Sequence, residues 1–233
     1  MKAAVFSEFG GPEVVGLDDL PVPEPGPGEV RIAVGASAMN HLDLWVRRGL
    51  PIEITMPHIG GSDIAGVVES LGPGVEGVET GTRVVVDPSL DYDWYDGASS
   101  GPNLPPKEFR IVGEHTQGGF AEFCVVPAAN LLEIPGDVSF ETAAAASLVS
   151  VTAWRALMVR GGLKAGERVL ITGASGGVSS VAIQMARLAG AQVFAVTTGK
   201  ENVARARELG AHVVYDREEA DWSKAIFKDT GKE

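Results

Sequence analysis

Cysteine is all but missing from this chain. Cys124 is the only one in 233 residues, so no internal disulfide can form, and a reducing, cytoplasmic setting is expected. It lies in the apolar run 123–126 and reads as a buried strand thiol rather than a nucleophile. Basic residues are also scarce. Nineteen Lys and Arg against 31 Asp and Glu give a net charge of -12, with no basic cluster. Nucleic acid and anionic membrane surfaces are therefore poor partners. Residues 1–13 lack an apolar core of signal-peptide length. The stretch 169–186 is uncharged and long enough to consider as a membrane span. Its glycines and serines divide it into strand, turn and helix instead, so no membrane partner is expected.

What the chain does have is glycine in a telling place. Val169, Leu170 and Ile171 run into Gly173-Ala174-Ser175-Gly176-Gly177, and Val178, Val181, Ala182, Met185 and Ala189 then recur at spacings of three and four. A second apolar run, 193–196, follows. Strand, glycine turn, helix and strand form the unit that holds a dinucleotide diphosphate at a helix N-terminus. Side chains in the turn would keep phosphate from the backbone N–H groups, which are free because a first helical turn has no internal acceptors for them. Gly173, Ser175, Gly176, Gly177 and Val178 are the candidate diphosphate contacts. An ordinary tight strand-to-helix turn is the plainer alternative, since Ser179 stands where a third glycine often falls.

Along the chain, short Val-, Ile- and Ala-rich runs at 2–6, 29–39, 66–71, 83–86, 120–126 and 131–134 alternate with Gly/Pro turns such as 21–28 and 72–74. This spacing predicts a closed or partly closed antiparallel domain. After Pro135 the character changes. Ser139, with Thr142 three residues on, predicts the start of a helix at Phe140. Helices are also predicted over 42–48, 202–209 and 221–228, and a third strand of the dinucleotide unit over 212–215. The fold class is α/β, with domains expected at 1–135 and 136–233. An open dinucleotide-binding sheet normally has two halves, and only the first is present, so the sequence reads as a fragment or as a chain needing a completing partner.

Several segments together resemble the medium-chain dehydrogenase/reductase superfamily, which includes zinc-type alcohol dehydrogenases and quinone oxidoreductases. They are Gly10-Gly11-Pro12-Glu13-Val14, the segment 60–68 (GGSDIAGVV), Gly118-Gly119-Phe120-Ala121-Glu122-Phe123, the segment 148–154 and the glycine turn. The resemblance covers essentially the whole chain. It implies a GroES-like β-barrel followed by a partial Rossmann domain, a doubly wound parallel sheet. It also implies a small-molecule substrate, and homo-oligomers among full-length relatives. By position, the family's catalytic zinc ligands fall on Asn40, Ser62 and Leu148, and its structural zinc cysteines on Tyr92, Tyr95, Ala98 and Pro105 of a lobe at 88–110. Leu148 cannot ligate and the others are not thiolates or imidazoles, so no metal is expected. An improvised cluster of His41, Asp43, Ser62 and Asp63, with Glu114 and His115, is weighed against polar residues that line a cleft or cap turns. The latter reading is preferred.

The resemblance implies hydride transfer between NADPH and a quinone, enone or other carbonyl or alcohol substrate, without zinc. Asn40, Ser62 and Thr152 are its candidate catalytic residues, as hydrogen-bond donors to the accepting oxygen. The plainer alternatives are that Asn40 is a structural turn residue before a helix and that the Thr152 hydroxyl bonds its own backbone. Counting about 20 residues from the glycine turn, where NAD-binding units place a carboxylate, reaches Thr197, then Thr198, Gly199 and Lys200. Threonines and a lysine suit a 2′-phosphate, so NADP(H) is the expected cofactor, unless Lys200 is only a solvated helix-start lysine or Glu201 points inward. Two alternatives remain: a catalytically silent fragment that binds nucleotide weakly or not at all, and a zinc-type alcohol dehydrogenase by label.

Overall fold

In the computed structural model, residues 1–90, 109–219 and 221–231 are described. The lobe expected at 88–110, with Tyr92, Tyr95, Ala98 and Pro105, falls mostly outside them. The chain divides into two compact units, Met1–Leu148 and Val149–Glu233. The composition changes earlier, at Pro135. The contacts divide later because the first half of a long helix packs with the N-terminal unit.

Unit 1 is antiparallel. Strands β1 (Lys2–Phe6), β2 (Gly16–Asp19) and β4 (His58–Ile59) form one sheet in the order β2-β1-β4. A five-stranded sheet, β10-β6-β5-β3-β9, combines β3 (Glu29–Ala38), β5 (Asp63–Leu71), β6 (Arg83–Val86), β9 (Phe123–Pro127) and β10 (Leu131–Glu133). Strands β7 (Ser89–Leu90) and β8 (Arg110–Ile111) pair with each other. Alternation in Val30 and Ile32, Val84 and Val86, and Cys124 and Val126 sends every second side chain into one core.

Helix α1 (His41–Arg48) connects the sheets. It starts after Asn40, whose extended backbone ends the strand-like segment, and its last turn carries Arg47 and Arg48, which complement the helix dipole. Helix α2 (Phe140–Trp154) starts where Ser139 predicts: its hydroxyl accepts the Thr142 N–H at 3.2 Å. A π-helical turn, Arg155–Arg160, extends α2. Ala143 and Ala144 of α2 join a unit 1 cluster with Ala65 and Ile134, and Ala153 joins the unit 2 core. Among the described residues one helix, Phe140–Arg160, is long and apolar enough to cross a membrane. The stretch 169–186 is broken by the glycine turn.

Unit 2 is a parallel sheet, β11-β12-β13, of Arg168–Thr172, Gln192–Thr197 and Val213–Asp216. Helices α3 (Gly177–Leu188), α4 (Lys200–Glu208) and α5 (Trp222–Asp229) follow the three strands in turn. Buried Ile183 and Ala186 of α3 pack with Val193 and Ala195. Helix α4 begins two residues earlier than the apolar pattern suggests, directly after Gly199.

Candidate functional site

Two stretches single themselves out in unit 1, GGSDIAG and GGFAEF, and the fold pairs them. Gly118 N–H donates to the Ile59 carbonyl at 2.7 Å, Gly119 to Gly61 at 2.8 Å, and Phe120 to Gly60 at 3.0 Å. Gly61 has φ +97°, and a Cβ there would come within 2.7 Å of the Phe120 ring. The glycines let two backbones run side by side, and this fixes Ser62 and Asp63 at the start of β5.

Two buried carboxylates organise what surrounds them. Asp43, in the first turn of α1, accepts the backbone N–H of Asn40 at 2.6 Å and of Gly61 at 3.0 Å. Asp63 accepts the Asn40 side-chain N–H at 2.8 Å and the Leu148 backbone N–H at 2.7 Å. Burial pushes both carboxyls above the usual carboxylate range, the N–H donors pull them back in part, and the charge of Asp43 adds to the rise at Asp63. Ser62 is fully buried, and its hydroxyl oxygen has no hydrogen-bond partner among the described residues. A buried hydroxyl without a partner is costly. Asn40 and Ser62 thus flank one organised corner of unit 1.

Thr152 lies on the unit 2 part of α2 and is exposed. His41 is exposed as well. Glu114 is buried, and burial raises its carboxyl, partly offset by His115. His115 accepts the Ile111 N–H through Nδ1. Among the described residues no three His, Cys, Asp or Glu are grouped to hold a metal ion. The three positions implied for a catalytic zinc supply one amide, one hydroxyl and one hydrocarbon side chain, and the amide nitrogen of Asn40 is already bonded to Asp63. That donor set does not fit zinc.

Sequence reasoning passes over His58. It is buried, and its Nε2 donates to the Gly113 carbonyl at 3.0 Å, with the Phe6 ring 5.3 Å away. Burial pushes its pKa below the usual imidazole value. A lone histidine in a Pro-rich stretch carries no pattern that would have revealed this.

In unit 2 the turn is built as the glycines suggest. Gly173 has φ +60° with open space on its Cβ side, which a side chain would occupy. Ala174 N–H donates to the Val196 carbonyl and Gly176 N–H to Gly173, which tightens the loop. The N–H groups of Ser175, Gly177 and Val178 donate to no backbone acceptor among the described residues. These exposed donors at the start of α3 fit a diphosphate. At the end of β12, Thr197 is buried with its hydroxyl unpartnered among the described residues, Thr198 is half-buried, and Lys200 and Glu201 are exposed. The carboxylate near this turn comes from β13: Asp216 accepts the N–H groups of Gly199 and Glu218, each at 3.0 Å. No count along the chain from the glycine turn reveals it.

Comparison with known proteins agrees with both units. The family described as alcohol dehydrogenase GroES-like domain matches residues 26–136, and that described as zinc-binding dehydrogenase matches 177–233. Crotonyl-CoA reductase of Streptomyces avermitilis is 39% identical over 86% of this chain and 50% of its own length. Quinone oxidoreductase of Homo sapiens is 31% identical over 100% of this chain and 63% of its own. A crystal structure of an NAD-dependent alcohol dehydrogenase superposes with a TM-score of 0.92 at 43% identity, covering 100% of this chain and 68% of that one. The chain therefore spans between half and about two thirds of the proteins it matches.

Proposed function

The chain belongs to the medium-chain dehydrogenase/reductase superfamily, and from that premise we propose that it serves an NADPH-dependent reduction of a quinone, enone or other activated carbonyl without zinc, in the cytoplasm. A GroES-like unit and a Rossmann-type unit divide the work. In unit 2, the N–H groups of Ser175, Gly177 and Val178 take the diphosphate, with Gly173 and Gly176 keeping the approach open. Thr198 and Lys200 take the 2′-phosphate, with Thr197 behind them. A cationic side chain at this turn, with the Asp216 carboxylate already engaged by the N–H groups of Gly199 and Glu218, favours a phosphate over a bare diol. The coenzyme, when bound, supplies the hydride.

In unit 1, Asn40 donates a side-chain N–H to the accepting oxygen, and the Ser62 hydroxyl is the second donor. Such donors stabilise charge that grows on the oxygen, and the loss of one typically costs about 10²-fold or more in turnover. The observation that carries this reading is the exposed row of N–H donors at the start of α3.

Titration of the purified chain with NADPH and NADH, followed by nicotinamide fluorescence, tests it. Saturable binding with NADPH preferred, and oxidation of NADPH by a quinone or enone, is the expected outcome. An absence of saturable binding overturns the reading in favour of a silent chain, and a preference for NADH overturns the role given to Lys200.

A further inference from the structure

Building on the proposed role of Asn40, we infer that Asp63 is a positioning residue: it clamps the Asn40 side-chain amide in the single orientation that leaves its second N–H available to a substrate oxygen. An asparagine amide presents either oxygen or NH₂ at the same point in space when nothing constrains it. An ionised carboxylate accepts hydrogen bonds and cannot donate one, so at 2.8 Å Asp63 admits only the NH₂ side of Asn40.

The second Asp63 oxygen holds the Leu148 N–H at 2.7 Å, so the carboxylate cannot swing away from the amide without giving up that bond. The backbone of Asn40 is fixed separately by Asp43, which also grips Gly61. One buried carboxylate thus sets where residue 40 sits, and the other sets which way its side chain faces. Both partners of Asp63 are neutral N–H donors, and burial raises its carboxyl. A group so costly to bury is accounted for when its acceptor-only character serves a purpose that an amide or hydroxyl cannot.

Asp63→Asn preserves shape but sets an amide donor against one of the two N–H groups. With NADPH and a quinone or enone, this change should lower kcat on the order of tenfold while leaving the KM for NADPH within about twofold. In an Asn40→Ala background the same change should lower kcat by less than about twofold, because the side chain through which Asp63 acts is gone. An equal loss in both backgrounds overturns the proposal and leaves the role of Asn40 standing. If Asn40→Ala turns over like the parent chain, the role of Asn40 itself fails.

A measurement independent of turnover accompanies these. The side-chain ¹⁵N–¹H₂ pair that disappears in Asn40→Ala should show one proton displaced downfield in the parent chain. It should move in Asp63→Asn or, if that variant does not fold, on acid titration of the parent. Two ordinary proton positions that respond to neither overturn the proposal.

Discussion

Gly66 has no room for a single methyl group. It sits inside β5, paired on both sides, and a Cβ there would lie 2.1 Å from the Ala33 carbonyl oxygen. The backbone of Ala33 cannot yield as the end of a flexible side chain would. Gly66→Ala should destabilise unit 1 by about 3 kcal/mol, read as a lower urea midpoint, and an unchanged midpoint would contradict this. The glycine itself is plain in the GGSDIAG stretch. Its reason is not, because the oxygen it must clear belongs to a residue more than thirty positions away. The same holds for the site. Asn40 and Ser62 are legible as polar residues at informative positions. That Asp63 accepts from Asn40 and Leu148, 23 and 85 residues away in sequence, is a property of folded space alone.

Among the elements, those with a long repeat or a strong cap were readable and the shortest were not. Strands β1 and β6 lie where their apolar runs indicate, and α2 and α3 start at their predicted signals. Strands β2, β4, β7 and β8 were not anticipated; three of them are two residues long, too short for any periodicity to show. Ser139 shows local chemistry at its most decisive. Its hydroxyl satisfies one of the four free N–H groups of α2. Ser139→Ala should cost about 1 kcal/mol and Ser139→Asp should retain most of the stability, measured by chemical denaturation. Equal stability of the serine and alanine forms would show that tertiary packing alone sets the start of α2.

At the scale of the whole molecule, each unit carries, among the described residues, a neutral acid that resists ionisation. Burial pushes the Cys124 thiol up to about 12, and burial with the bond to Asp229 takes the Tyr215 hydroxyl to about 12. A raised value in the folded state means stability that is whole below the unfolded value and lost as pH climbs through the folded one. The chain should therefore weaken from about pH 9 towards 12. Cys124→Ala should flatten the unit 1 part of that decline in urea unfolding across the range, and parallel slopes for parent and variant would refute it. On the acid side the groups oppose one another. Protonation of Asp43 and Asp63 favours the fold, because burial raises them, whereas His58, depressed by burial, withdraws stability as pH falls below its unfolded value near 6.5.

By itself the sequence determined the architecture: an antiparallel unit, then a parallel unit entered through a glycine turn. Those properties rest on local spacing and on the chemistry of single side chains, which need no knowledge of distant partners. Tertiary structure alone decided which carboxylate faces which amide, that Asp216 stands beside Gly199, and that Ser62 and Thr197 are buried with hydroxyls unpartnered among the described residues. Each depends on segments distant in the chain being packed together, and a linear pattern does not record such meetings.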